Sequence, residues 1–147
     1  MKGNGNSIGT LLRKLYFSLI PTSGGRSKYI RKHASLFKHV GKDVFFQPRK
    51  FPSDPELLSI GNNVKISSDV VFVNHDVTSS MLNRKFNTTA FNPLKGCIEI
   101  GDNCMIVAGV YILPDVRIGS NVVIGAGAIV SKDIPDNSVV QEFHAGS

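Results

Sequence analysis

Cysteine is scarce, tryptophan is absent, acidic residues are nearly missing from the first third of the chain, and no apolar run is long enough to cross a bilayer. Each absence narrows the choices. The two cysteines, Cys97 and Cys104, stand at neither a metal-binding nor a redox spacing. That excludes a disulfide scaffold and a cysteine-rich zinc module, and leaves reduced thiols in or beside a core. The apolar stretch Leu11 to Ile20 is interrupted by Arg13 and Lys14 and is too short to span a membrane. Met1 to Gly9 is polar and lacks the pattern of a secretory signal. A cytoplasmic location is therefore expected, and with it no use of the Asn87-Thr88-Thr89 sequon.

Charge is unevenly placed. Residues 1–50 hold eleven Lys or Arg against one acid, Asp43, a net of +10; the remainder holds six bases against ten acids, a net of −4. A basic segment of this kind suits an anionic membrane face or an anionic glycan. Within it, Leu11 to Ile20 predicts a helix that Pro21 ends. Ser27 to His39 predicts a basic amphipathic helix, with Tyr29, Ile30, Ala34 and Phe37 near helical spacing. That helix can lie on a membrane surface, which would place the protein at the inner face of the membrane. It can equally close the open end of a repeat array, and capping is the preferred reading.

What the chain has in abundance is a six-residue period. From Ile100 it divides as Ile-Gly-Asp-Asn-Cys-Met, Ile-Val-Ala-Gly-Val-Tyr, Ile-Leu-Pro-Asp-Val-Arg, Ile-Gly-Ser-Asn-Val-Val and Ile-Gly-Ala-Gly-Ala-Ile, with Val130 opening a sixth unit. Ile60, Ile66 and Val40 show the same phase. Such a period predicts a parallel β-helix. The first residue of each unit should point inward and stack on its equivalents; the fifth, small or β-branched (Cys104, Val110, Val116, Val122, Ala128), should fit near a corner. Gly101, Asp102, Asn103, Gly109, Asp115, Gly119, Asn121, Gly125 and Gly127 are expected to tolerate positive φ and tight turns. The phase breaks after Phe72 and returns at Ile100, so residues 74–97 are expected to project as a loop. The resulting layout is a basic helical segment over 1–39, a β-helix over 40–140 and a tail over 141–147.

These units, above all Ile118 to Val140, resemble the hexapeptide-repeat acyltransferases, in the branch of maltose and galactoside acetyltransferases and capsule or exopolysaccharide O-acetyltransferases. The resemblance covers Ser59 to Val140. It implies an all-β, left-handed parallel β-helix with three units per coil, a homotrimer, acetyl-CoA as co-substrate, a sugar or glycan acceptor, no metal and no nucleic-acid partner. It also assigns roles. His75, in Val73-Asn74-His75-Asp76-Val77, takes the place of the general base that deprotonates the acceptor hydroxyl, a task suited to imidazole. Asn74 and Asp76 are candidate acceptor contacts, and Asp76 is a candidate to orient the imidazole. A backbone N–H near Ala108 is a candidate oxyanion donor. Ala108 and Ala126 fall along the pantetheine groove, and Ser131 and Lys132 at the nucleotide end of acetyl-CoA, where a lysine suits phosphate. The chain departs from the family where Met105-Ile106-Val107 replaces Trp-Ile-Gly, and where Gln141 to Ser147 replaces the usual tail with its basic residues.

His33, His39 and His144 lie outside the motif and are read as surface residues. One histidine in the coils argues against a gamma-class carbonic anhydrase, which needs three around zinc. Gly125-Ala126-Gly127 lacks the third glycine and strand–helix context of a dinucleotide site. The alternative to an enzyme is a non-catalytic β-helix scaffold.

Overall fold

A computed structural model describes residues 8–141. Two helices come first, α1 (Ile8–Leu19) and α2 (Ser23–Lys32), followed by a 3₁₀ turn at Ala34–Leu36. Twelve strands of two or three residues follow among the described residues. They are β1 (His39–Val40), β2 (Phe45–Phe46), β3 (Leu58–Ile60), β4 (Val64–Ile66), β5 (Val71–Phe72), β6 (Ile98–Ile100), β7 (Cys104–Ile106), β8 (Tyr111–Ile112), β9 (Arg117–Ile118), β10 (Val123–Ile124), β11 (Ile129–Val130) and β12 (Val139–Val140). Every strand pairing is parallel, and the strands form three sheets: β1-β3-β6-β9, β2-β4-β7-β10-β12 and β5-β8-β11. These are the first, second and third faces of a left-handed β-helix.

The register shows the coil directly. Ile100 pairs with Ile118, Ile106 with Ile124 and Ile112 with Val130, each 18 residues on, so three hexapeptides close one turn. The opening coil is longer, with Val40 paired to Ile60 and Phe46 to Ile66, an offset of 20. Ile60 pairs with Ile100, an offset of 40, which is one coil plus a 22-residue insertion. The first residues of the units from Ile100 to Val130 are buried, with Ile60 and Ile66, while Val40 in the opening coil is partly buried; Cys104, Val110, Val116, Val122 and Ala128 at the fifth positions are buried too. Each large apolar side chain so withdrawn contributes about 1.5–3 kcal/mol. Burial also pushes the Cys104 thiol above its usual range.

The corners use two devices, where the sequence led us to expect one. Asn63, Asn103, Asn121 and Asn137 do adopt positive φ, and they form a ladder in which each Nδ2 donates to the next Oδ1 at 2.9–3.2 Å. Asp69, Asp115, Gly109 and Gly127 are left-handed too. Gly101, Asp102, Gly119 and Gly125, expected to be, are not. Gly101 is small for another reason: a Cβ there would lie 2.7 Å from the Gly119 carbonyl, so coil-to-coil approach excludes a side chain.

The N-terminal helices cap the first coil. Thr22 opens α2 by accepting from the Gly25 N–H at 3.0 Å, four residues before the expected start. Strand β2 is the edge that needs covering. Its Phe46 N–H donates to Ser27 Oγ (2.7 Å), Arg26 Nε to the Gln47 carbonyl (3.0 Å) and Arg31 to the Val44 carbonyl (3.0 Å). Phe17 of α1 packs between Phe46, Phe51 and Tyr29, with ring centroids 5.3–5.9 Å apart. Basic residues here are therefore partly structural; burial, then Arg49, holds the Arg26 guanidinium below its ordinary pKa.

Candidate active site

The 22-residue insertion leaves the β-helix after β5, at the corner between the third and first faces. It is not a bare loop: Thr78–Phe86 forms a helix, α3, closed by Asn87 at φ 48°. Its stalk is pinned at the coil. His75 bridges Lys95 in antiparallel fashion, and Gly96 N–H donates to the Asn74 carbonyl at 2.8 Å. Asn74 itself is buried, donating through Nδ2 to the carbonyls of Gly96 (3.0 Å) and Leu57 (3.3 Å). Its Oδ1 is buried with no hydrogen-bond partner among the described residues.

His75 stands beside this clamp with 44% of its side chain exposed. Its Nδ1 lies 2.5 Å from Asp54 Oδ2, a carboxylate that is itself only 13% exposed. A carboxylate so placed accepts a hydrogen bond from Nδ1–H and leaves the Nε2 lone pair as the ring's base. The carboxylate on the imidazole is thus Asp54 and not Asp76. Asp76 turns to α3, accepting from the Thr78 N–H (3.2 Å) and hydroxyl (3.1 Å). Both carboxylate oxygens of Asp76 carry the start of that helix, where negative charge is favourable.

The sequence reading missed Asp54, though a signal for it existed. The 20-residue offset between the first two coils puts position 54 beneath Asn74. Pro52 and Pro55 stiffen the chain around it, and Asp54 accepts from the Leu57 N–H through its backbone at 3.0 Å, opening the 3₁₀ turn Pro55–Leu57. A cavity of about 270 Å³ adjoins the carboxylate, lined among others by Arg13, Lys14, Glu56 and Lys95.

The remaining candidates divide between two edges of the third face. Ala108 and Ala126 are equivalent positions of successive coils at the corner between the second and third faces; Gly127 N–H donates to the Ala108 carbonyl at 2.9 Å. Both alanines are exposed, so they do not fill the core. Ser131 and Lys132, also exposed, follow β11 and lie toward the other edge. Extending the Phe72–Ile112–Val130 row by two positions places Lys132 over Pro114 and Asn74, on the corner of His75 and two coils along. One protomer therefore brings His75, Asp54, Asn74 and Asp76 together and lines Lys132 up with them. It keeps Ala108 and Ala126 across the face, roughly 20 Å of extended chain away. Of the other histidines, His39 is exposed on the first face, whereas His33 is half-buried and stacks on Tyr29 at 4.0 Å; His144 and the tail from residue 142 onward lie outside the described residues.

Comparison with known proteins gives a consistent result. Residues 97–132 match the family described as bacterial transferase hexapeptide (six repeats). Protein CapG of Staphylococcus aureus is 38% identical over 133 residues, covering 88% of this chain and 73% of that protein. The galactoside O-acetyltransferase of Lactococcus lactis is 30% identical over 129 residues, covering 71% of this chain and 58% of the relative; the chain thus spans little more than half that protein's length. Among solved structures, a hexapeptide-repeat acetyltransferase of Vibrio cholerae complexed with acetyl-CoA superposes with a TM-score of 0.65 at 21% identity, covering 94% of this chain and 86% of the other.

Proposed function

Since the chain belongs to the hexapeptide-repeat acyltransferase family, we propose that it is an O-acetyltransferase carrying an acetyl group from acetyl-CoA to a sugar hydroxyl, in the assembly of a surface polysaccharide. The observation that carries this reading is the His75–Asp54 dyad at a coil edge, half open to solvent. Nε2 takes the acceptor's hydroxyl proton as its oxygen attacks the thioester carbonyl carbon. The tetrahedral intermediate collapses, the C–S bond breaks, and the imidazolium returns the proton to the departing CoA sulfur. Asp54 stays ionised; it fixes the ring's tautomer and stabilises the transient imidazolium. No acyl-enzyme is needed. Asp76, at the mouth of the insertion, contacts the acceptor, which enters by the cavity beside Asp54; Asn74, buried, holds the stalk from within and does not reach it. The sugar acceptor accords with the galactoside O-acetyltransferases among the relatives, and acetyl-CoA with the ligand of the Vibrio cholerae structure.

The donor site is shared between copies in this reading. Acetyl-CoA runs past Ala108 and Ala126, whose small side chains leave room for pantetheine and whose backbone, near Ala108, faces the developing oxyanion. Ser131 and Lys132 meet the nucleotide end. These positions occupy opposite edges of the third face, so one protomer's alanine edge must meet the His75 edge of the next. The outward rows support this. Met105, Val123 and Val139 on the second face and Tyr111 and Ile129 on the third are exposed apolar residues, whereas Glu99 and Arg117 on the first face join Lys38 in an ion-pair cluster. A closed three-fold assembly covers the apolar rows and completes three sites. The assembly works in the cytoplasm, where acetyl-CoA is available.

A panel of acyl-CoA donors and sugar acceptors, read by release of free CoA thiol, tests the function. Acceptor-dependent thiol release is the expected result. No release with any pair would leave the β-helix as a scaffold.

A further inference from the structure

Helix α1 turns its largest apolar surface outward. Ile8, Leu11, Leu12, Leu15, Tyr16 and Leu19 follow the spacing of a single helical face, and all are exposed, from 55% at Leu15 to 77% at Ile8. On the opposite side the helix is fastened by Phe17, fully buried among Tyr29, Phe46 and Phe51. Capping of the first coil does not use the outer ridge. That task falls to Phe17 and to Arg26, Ser27, Ile30 and Arg31 of α2. Six large apolar side chains on one helix exceed the scatter of single exposed residues that a soluble surface carries.

The charge on α1 and α2 has one sign, the nearby acids Asp54 and Glu56 lying in the cavity on the Arg13 and Lys14 side of α1. Arg13 and Lys14 sit on α1 itself, and Lys28 and Lys32 of α2 line, with Tyr16 and Tyr29, a groove of about 540 Å³ directly beside the ridge. The first acid in the chain is Asp43. A second copy docked on this ridge would set cations against cations, which like-charge repulsion opposes. An anionic lipid surface satisfies both features, with an acyl boundary for the ridge and phosphates for the lysines.

We propose that α1 is an interfacial membrane anchor that lies in the plane of an anionic bilayer, with Leu11, Leu12, Leu15 and Leu19 sunk below the headgroups and Lys28 and Lys32 on lipid phosphates. Its 12 residues make a rod about 18 Å long, and among the described residues no helix is long and apolar enough to cross a membrane. For the following helix, Ser27 to His39, the sequence offered membrane contact as the alternative to capping; the buried face of α2 is spent on β2, which leaves α1 as the helix with a free apolar face. This proposal is independent of the chemistry at His75.

Sedimentation of the full chain with lipid vesicles tests it. Vesicles mixing phosphatidylcholine and phosphatidylglycerol should carry the protein down, vesicles of phosphatidylcholine alone should not, and added salt should weaken the binding. Leu11→Glu/Leu15→Glu should lower binding roughly 10²-fold, since two leucines lose their burial. The same variant should keep its circular dichroism, its oligomeric mass and its turnover with a soluble acceptor. Lys28→Glu/Lys32→Glu should lower binding to the mixed vesicles and flatten its salt dependence. The proposal is overturned if the unaltered protein stays in the supernatant with both vesicles, or binds both equally. Wild-type binding by the leucine variant would overturn it too. If the leucine variant instead drops to a smaller assembly in light scattering, a second copy covers the ridge and the membrane assignment is wrong.

Discussion

Asp54 and His75 are 21 positions apart in the chain and 2.5 Å apart in the fold. This pair carries the first prediction. Asp54→Asn should lower kcat by on the order of 10²-fold or more while leaving the KM for acetyl-CoA near wild type, because the amide cannot stabilise the imidazolium and favours the wrong tautomer. Asp76→Asn should have a smaller effect on kcat, its oxygens being engaged by Thr78. Equal losses in the two variants would count against a special role for Asp54. Lys132→Ala should raise the KM for acetyl-CoA more than it lowers kcat, and should flatten the salt dependence of donor affinity. No change in either would remove Lys132 from the donor site. His75 was singled out in the sequence by the family resemblance, at the point where the six-residue phase breaks. Asp54 was not, because it lies in an irregular Pro-rich bend and is related to His75 only through the 20-residue length of the first coil.

Among the elements, the coils are held in line by the asparagine ladder as well as by the stacked isoleucines. Asn103 combines a φ of 55° with a bond to each neighbouring rung, donating to Asn121 and accepting from Asn63. Asn103→Ala loses both bonds and leaves, in the left-handed region, a residue that tolerates it less well than asparagine, an expected cost of about 1–3 kcal/mol in urea denaturation. Asn103→Gly loses the ladder but relieves the backbone, so it should cost less. Equal costs would show that conformation does not matter at this corner. The six-residue period announced the strands, since each unit must bury one side chain inward. The helices were harder to bound. Thr22 starts α2 earlier than its apolar spacing indicates, and α3 depends on the Asp76 carboxylate to satisfy its first turn, a local bond with no periodic trace. Likewise Gly101 and Asn103 both read as turn residues, though only one needs positive φ.

At the scale of the whole molecule, the proposed activity divides its site residues between opposite edges of one protomer's third face. The protein should therefore be a trimer at micromolar concentration, and light scattering should give three times the monomer mass; a stable monomer would leave Ala108 and Ala126 without a facing His75. The sequence pointed to three copies only through its family resemblance, because the exposed Met105, Tyr111, Val123, Ile129 and Val139 alternate with core residues and read as ordinary β-helix positions. Everything proposed for the activity rests on the imidazole at the insertion. Its most direct test is the rate of acceptor-dependent CoA thiol release by His75→Ala beside the unaltered protein, with His33→Ala as control. A fall of on the order of 10²–10⁴-fold in the His75 variant alone, with trimer mass and circular dichroism retained, is the predicted result. A His75 variant at the wild-type rate, or an equal loss in the His33 variant, would contradict it.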